Sequence, residues 1–167
     1  MKKFFLENKR LIVRNFNHKD INKEYLSWFN GKNENLKFSR HYKKKYNRRV
    51  LVDNLKNFLN SKDFFLGIFD IKNKELIGTI IVYIDIKKKS GNLGIFIGNK
   101  NFFSKGYALE SCQIVIKFLF KEKIVNSIVS GARNENIKMI NLMKNLKMKR
   151  MIRKDKLNTI YSINKLV

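Results

Sequence analysis

The stretch that decides the fold runs Leu93-Gly94-Ile95-Phe96-Ile97-Gly98, then Asn99-Lys100-Asn101-Phe102-Phe103-Ser104-Lys105, then Gly106-Tyr107-Ala108. It begins as an apolar run of strand length, passes through a loop and opens a helical pattern. From Lys105 to Lys121 the residues Ala108, Cys112, Val115, Ile116 and Leu119 fall on one stripe, with Glu110, Gln113, Lys117 and Lys121 opposite. A strand, a glycine-bearing loop and a helix N-terminus together present unpaired backbone N–H groups with a partial positive charge. Such a place suits a pyrophosphate, and a glycine lets the backbone approach it closely. Lys105 adds a mobile cation. An ordinary strand-to-helix turn also needs glycine for its geometry, so one loop glycine does not separate the two readings.

Outward from this stretch the chain reads as one alternating series. Residues 10 to 16 (Arg-Leu-Ile-Val-Arg-Asn-Phe) form a first strand. Asn17, with Asp20 three residues on, is a helix N-cap close to a capping box, and Ile21, Tyr25, Trp28 and Phe29 share one helical face up to Asn30-Gly31. Residues 31 to 48 are polar, basic and irregular. A second helix fits Val50 to Asn60, with Leu51, Leu55, Phe58 and Leu59 on its stripe. Phe64 to Phe69, Leu76 to Ile86 and Leu93 to Ile97 are apolar strands, with Ser90-Gly91-Asn92 as a hairpin turn before the last. Ser127 to Ser130 is a short strand, and Asn136 to Lys147 a helix with Ile140, Met143 and Leu146 inward. Lys149 to Arg153 and Leu157 to Ile163 close the series as strands.

The order β-α-α-β-β-β-α-β-α-β-β predicts an α+β fold: a twisted, mixed, mostly antiparallel sheet flanked by helices. The 167 residues fit a single domain over 1–167 that needs no disulfide or metal staple. The lone cysteine, Cys112, lies on a buried stripe, where it reads as inert core. One cysteine points to a reducing, cytoplasmic setting. Two His, one Cys and scattered carboxylates show no metal-ligand spacing. Met1 to Leu6 looks briefly like a signal peptide, but Glu7 to Arg10 interrupts it, and no apolar run of about 18 residues exists to span a membrane.

The net charge is +24. It fits an anionic partner, and it equally fits compositional bias, because Lys is spread along the whole chain beside abundant Asn, Ile and Phe with no proline. No recognition helix, zinc finger or aromatic sheet motif points to nucleic acid.

The span Leu93 to Ser111 resembles the cofactor motif of the Gcn5-related N-acetyltransferases (GNAT): Gln or Arg, two residues, Gly, any residue, then Gly or Ala. Here it reads Phe103, Ser104-Lys105, Gly106, Tyr107, Ala108, with Phe103 departing from Gln/Arg. An aromatic there, before a small residue, Lys, Gly and Tyr, is similar to the branch of ribosomal-protein N-terminal and amino-sugar acetyltransferases. Asn136 to Met148 resembles the next motif, where an Asn opens a helix ending in Lys-Leu-Gly-Phe, and Tyr25-Leu26-Ser27-Trp28-Phe29-Asn30 also looks like that branch. The resemblance covers nearly the whole chain, and the order and spacing of the motifs carry it.

The resemblance implies transfer of an acetyl group from acetyl-coenzyme A to a primary amine, without metal. The first acceptor to consider is an anionic small molecule such as a nucleotide-linked amino sugar. The alternatives are a protein N-terminal acetyltransferase, or a non-enzymatic basic nucleic-acid-binding or degenerate acyl-coenzyme A-binding domain. A homodimer is compatible with any of these. Ile97 and Gly98 would hold the pantetheine arm, Ser104, Lys105, Gly106, Tyr107 and Ala108 the pyrophosphate, and Asn136 the cofactor arm. A plain N-cap is the other role open to Asn136. Met143 stands where many relatives carry a proton-donating Tyr, and Lys147 where they carry Gly, which implies a different turn. Asn92 stands where some hold a general-base Glu, and Asn cannot accept that proton. For the proton the candidates are His41, of suitable chemistry, Asn92 as an orienting group, and Asp85 at a strand end. For the acceptor they are Arg40, which can pair with phosphate or carboxylate, and Trp28, which can stack on a sugar but whose place on the apolar stripe also fits core packing.

Overall fold

The computed structural model describes residues 4–30, 33, 36–39, 41–42, 44–152 and 157–165. In chain order the strands are β1 (Phe5–Glu7), β2 (Leu11–Asn15), β3 (Phe64–Asp70), β4 (Leu76–Asp85), β5 (Ser90–Ile97), β6 (Ser127–Arg133), β7 (Lys149–Met151) and β8 (Asn158–Asn164). The helices are α1 (Lys23–Asn30), α2 (Arg48–Leu59), α3 (Tyr107–Lys121) and α4 (Ile137–Asn145). The strands form one eight-stranded sheet in the order β1-β2-β3-β4-β5-β6-β8-β7. β5 and β6 run parallel, and the other neighbours pair antiparallel. This is the mixed, mostly antiparallel α+β architecture that the element order predicts.

Alternation along the strands splits the core into two layers. Leu11 and Val13 of β2, with Leu66 and Ile68 of β3, face Cys112, Val115, Leu119 and Met143 of α3 and α4. Ile12 and Phe69 face the other way, onto Tyr25 and Trp28 of α1 and Leu51 and Leu55 of α2. Of the predicted α3 stripe, Cys112, Val115, Ile116 and Leu119 are buried and Ala108 is half-buried; burial pushes the Cys112 thiol up to about 12, so it stays a protonated, apolar group. No helix among the described residues is long and apolar enough to cross a membrane.

Local details depart from the sequence reading for identifiable reasons. Asn17 and Asp20 do form a capping box, but on a single 3-10 turn over His18–Asp20. Buried Asp20 is fixed there by a two-pronged ion pair with Arg14, at 2.8 and 2.7 Å. The helix that follows is capped by Asn22, whose Oδ1 accepts from the Tyr25 N–H at 2.9 Å. Leu59, expected on the inner stripe of α2, is exposed. Ser90-Gly91-Asn92 is strand rather than turn. The hairpin turns instead through residues 86–89, with Lys89 at φ 48° and the Lys88 N–H donating to Asp85 Oδ1 at 3.0 Å. Gly91 is there for packing, since a Cβ would lie 2.9 Å from both Val82 and Ile128.

Lys147, expected to alter the turn after α4, does not. It takes the left-handed conformation itself, at φ 59°. The Met148 N–H donates to Met143 O at 3.1 Å and the Lys147 N–H to Lys144 O at 2.9 Å, the bond pair of a glycine-type helix end.

Candidate functional site

The sheet opens between its two parallel strands. β5 and β6 pair through Ser90↔Ser127, Gly91↔Ile128 and Asn92↔Val129, and that pairing then stops. Each strand continues with its other neighbour, β5 with β4 to Ile97↔Gly78 and β6 with β8 to Arg133↔Asn158. At the fork the buried Ser130 hydroxyl donates to Leu93 O at 2.8 Å. The divergence leaves a groove of about 1360 Å³. Ile95, Phe96 and Ile97 line it from β5, Ser104 to Leu109 (without Lys105) from the head of α3, and Asn136 to Met139 with Leu142 from α4.

The turn at the head of α3 has Ser104 at φ 58° and Gly106 at φ 85°. Gly106 is the N-cap residue and gives the helix no side-chain cap. The first-turn N–H groups of α3 therefore keep their partial positive charge at the groove. Lys37, Lys44, Lys45, Lys100 and Lys138 stand around the same groove, with Glu135 the one carboxylate among the described lining residues. A bare helix end with five ammonium groups fits a multiply phosphorylated ligand.

The groove adjoins a second cavity of about 660 Å³. Phe29, Leu36, Lys44, Ile95 and Phe96 line both. The cavity's remaining walls include the aromatic residues Tyr25, Tyr46, Phe58, Phe65 and Tyr83. Its polar groups include His41, Asn54, Asn57, Thr79 and Asp63. The His41 Nδ1 lies 2.6 Å from the Tyr46 hydroxyl, and its ring meets Phe29 edge to face. Half-buried Asp63 accepts the Ile84 N–H at 2.8 Å. Among the described residues there is no group of three or more His, Cys, Asp or Glu able to hold a metal.

The sequence-predicted residues divide clearly. Ile97, Ser104, Gly106, Tyr107, Ala108 and Asn136 line the groove, and His41 lines the adjoining cavity. Tyr107 turns its hydroxyl inward, donating to Asp70 Oδ1 at 3.1 Å. Asn136 accepts from the Met139 N–H at 3.2 Å, the N-cap role, while also facing the groove. Lys105 and Gly98 lie outside both linings, Gly98 buried beneath Trp28. Trp28 is itself 5% exposed and packs against Tyr25 and Phe96. Asp85 sits at the hairpin end of the β4–β5 ladder, roughly 23 Å from Gly78 at about 3.3 Å per residue, and Asn92 stands in the last β5–β6 pair at the fork; both lie outside the two linings. Arg40 lies outside the described residues. Met143 is fully buried in the core rather than on the groove wall.

Sequence reasoning missed Tyr46, Asp63 and the Phe58–Phe65–Tyr83 cluster, which forms only when α2 packs on β3 and β4. It also missed Arg10, whose partner Glu110 is 100 positions away.

Residues 10–149 match the family model of the acetyltransferase (GNAT) domain. Over 75 residues, 45% of this chain, the sequence is 33% identical to an uncharacterized N-acetyltransferase, YnaD, of Bacillus subtilis (strain 168); the match spans only 44% of that relative's length. Two solved structures share the fold over most of both chains. One is the microcin C7 self immunity acetyltransferase MccE in complex with acetyl-CoA and AMP, with TM-score 0.80 and 17% identity over 94% of this chain and 93% of that one. The other is RimL, a ribosomal L7/L12 alpha-N-protein acetyltransferase in complex with coenzyme A, with TM-score 0.83 and 11% identity over 96% and 98%. With the family model matched across most of its length and the forked sheet in place, the chain belongs to the GNAT acetyltransferase family.

Proposed function

We propose that the protein transfers an acetyl group from acetyl-coenzyme A to a primary amine on a small molecule. One observation carries the reading: the lysine-rimmed groove at the bare end of α3 and the aromatic cavity share the wall around Ile95 and Phe96. A phosphorylated donor in the groove and an amine in the cavity would meet there. Acetyl-coenzyme A would supply the activated thioester. The protein's part is to bind both partners in register, which removes much of the entropic barrier to a bimolecular attack.

Ser104, Gly106 and the first-turn amides of α3 would receive the pyrophosphate, and Asn136 and Ile97 would border the pantetheine arm. The amine must shed a proton before it attacks, and His41 is the histidine in the cavity wall.

A cavity of about 660 Å³ suits a small molecule. Its aromatic walls suit the flat apolar face of a sugar, and Lys44 with His41 suits an attached anion, so a nucleotide-linked amino sugar is the proposed acceptor class. The test is thiol release from acetyl-coenzyme A with nucleotide-linked amino sugars, amino-sugar phosphates and short peptides as acceptors. Turnover of sugars, with a lower kcat in His41→Ala, is the expected result. Turnover confined to peptides would make the protein an N-terminal acetyltransferase. Binding without turnover of any amine would sink the enzymatic reading.

A further inference from the structure

Arg10 immediately precedes β2 and lines neither the groove nor the cavity, yet it makes three contacts to the head of α3. Its Nη2 donates to Lys105 O at 2.9 Å. Its Nη1 pairs with Glu110 Oε1 at 2.6 Å. Its guanidinium carbon stands 4.3 Å from the centre of the Tyr107 ring. The ring is fixed in turn by its hydroxyl on buried Asp70 and by Phe102 edge-on at 5.1 Å. Arg10 is itself anchored at the backbone: its N–H donates to Asn8 Oδ1 at 2.8 Å, and its carbonyl accepts the Ile71 N–H at 2.9 Å.

Two physical consequences follow. Lys105 lies between two left-handed residues, Ser104 and Gly106, in a turn with no side-chain cap, and the Arg10 fork ties its carbonyl from the sheet side. Glu110 puts a carboxylate in the first turn of α3. Left alone, that charge would oppose any anion drawn to the helix end, and Arg10 cancels it at contact distance.

We infer that Arg10 is a positioning residue for the phosphate-binding turn: it holds the Lys105 carbonyl and neutralises Glu110, so the α3 amides keep both their geometry and their positive field. This rests on the acetyl-coenzyme A reading above. The effect is confined to the phosphorylated end of the donor, because no Arg10 contact reaches β5 or α4.

The test compares two probes, coenzyme A and pantetheine, the same arm without its phosphates. Arg10→Ala is expected to raise the coenzyme A Kd by about tenfold or more, while the pantetheine Kd stays within about twofold. Glu110→Gln, which leaves the Lys105 tie intact, is expected to bind coenzyme A as tightly as wild type or slightly more tightly. Arg10→Lys keeps the charge and loses the fork, so it should fall between wild type and Arg10→Ala; it carries the test if the alanine variant fails to fold. Equal coenzyme A binding by wild type and the Arg10 variants would overturn the inference. So would a proportional loss for both probes, the mark of a purely structural role. Failure of wild type to bind coenzyme A would take down the donor reading itself, and the two failures are thereby distinguished.

Discussion

Trp28 occupies the space that a side chain at Gly98 would need: a Cβ there would lie 2.0 Å from Cδ2 and Cε3 of the indole. The contact clamps the chain just past β5 against α1. The same residue is held by the Gly98 N–H donating to Ile77 O at 3.0 Å and by Asn33 Nδ2 donating to Gly98 O at 3.1 Å. The end of the strand that lines the groove is thereby fixed by α1 and by Asn33. Gly98→Ala should push Trp28 off Tyr25 and Phe96 and destabilise the protein by about 1–3 kcal/mol. Denaturant unfolding with Trp28 fluorescence reads this directly, and an unchanged midpoint would show that the indole moves aside at no cost.

Gly106 acts through its backbone angle rather than through tight space. A Cβ there would meet nothing nearer than 3.7 Å, but φ is 85°. Gly106→Val should therefore force the turn out of its left-handed conformation and weaken coenzyme A binding by at least tenfold, a loss of about 1.4 kcal/mol or more. Gly106→Asn, which tolerates that conformation better, should retain more affinity. Equal affinities in the two variants would argue against a backbone role.

Lys147 offers a stabilising substitution. It holds the left-handed end of α4 at a cost of roughly 1–2 kcal/mol for an L-residue. Lys147→Gly removes that strain but adds unfolded-state entropy. A net gain of about 0.5–1 kcal/mol is expected, seen as a Tm higher by about 1–4 °C. A fall in Tm would mean that the lysine stem contributes packing that outweighs the strain.

Glu24 gives a pH signature. Burial, with a smaller contribution from Glu75, raises its carboxyl above the ordinary value, while Oε1 accepts from Asn99 Nδ2 at 2.9 Å. A raised folded-state pKa means that the folded protein binds the proton more tightly than the unfolded chain. The associated stability is present below the unfolded pKa and is lost as pH rises through the folded one. Glu24→Gln should thus be more stable than wild type at neutral pH, and the advantage should shrink as pH falls toward the ordinary glutamate range. Unfolding midpoints of the two proteins across pH check the sign, and a gap that widens on acidification would contradict it.

What the sequence revealed and what it hid divide along physical lines. The α3 stripe was legible because five apolar residues repeat at helical spacing over about three turns. The groove side of the site was legible because a strand, a loop and a helix head are contiguous in sequence. β1 was not: Phe5–Glu7 is three residues of one ladder, too short to show a period. Gly91 misled because a glycine demanded by packing between Val82 and Ile128 looks like one demanded by a turn. The true turn, through Lys87, Lys88 and Lys89, carries no glycine or proline signal. The aromatic cavity could not be read from spacing, since Phe29, Phe58, Phe65 and Phe96 come from four elements that meet only in the folded register.

The most direct test of the account is calorimetric titration of acetyl-coenzyme A into the wild-type protein and Gly106→Val, at low and at moderate salt. Saturable binding by wild type that survives moderate salt and is weakened at least tenfold in the variant is the expected result. Absence of binding, or binding that vanishes with salt as non-specific charge attraction does, would contradict it and leave the forked sheet as a fold inherited without its ligand.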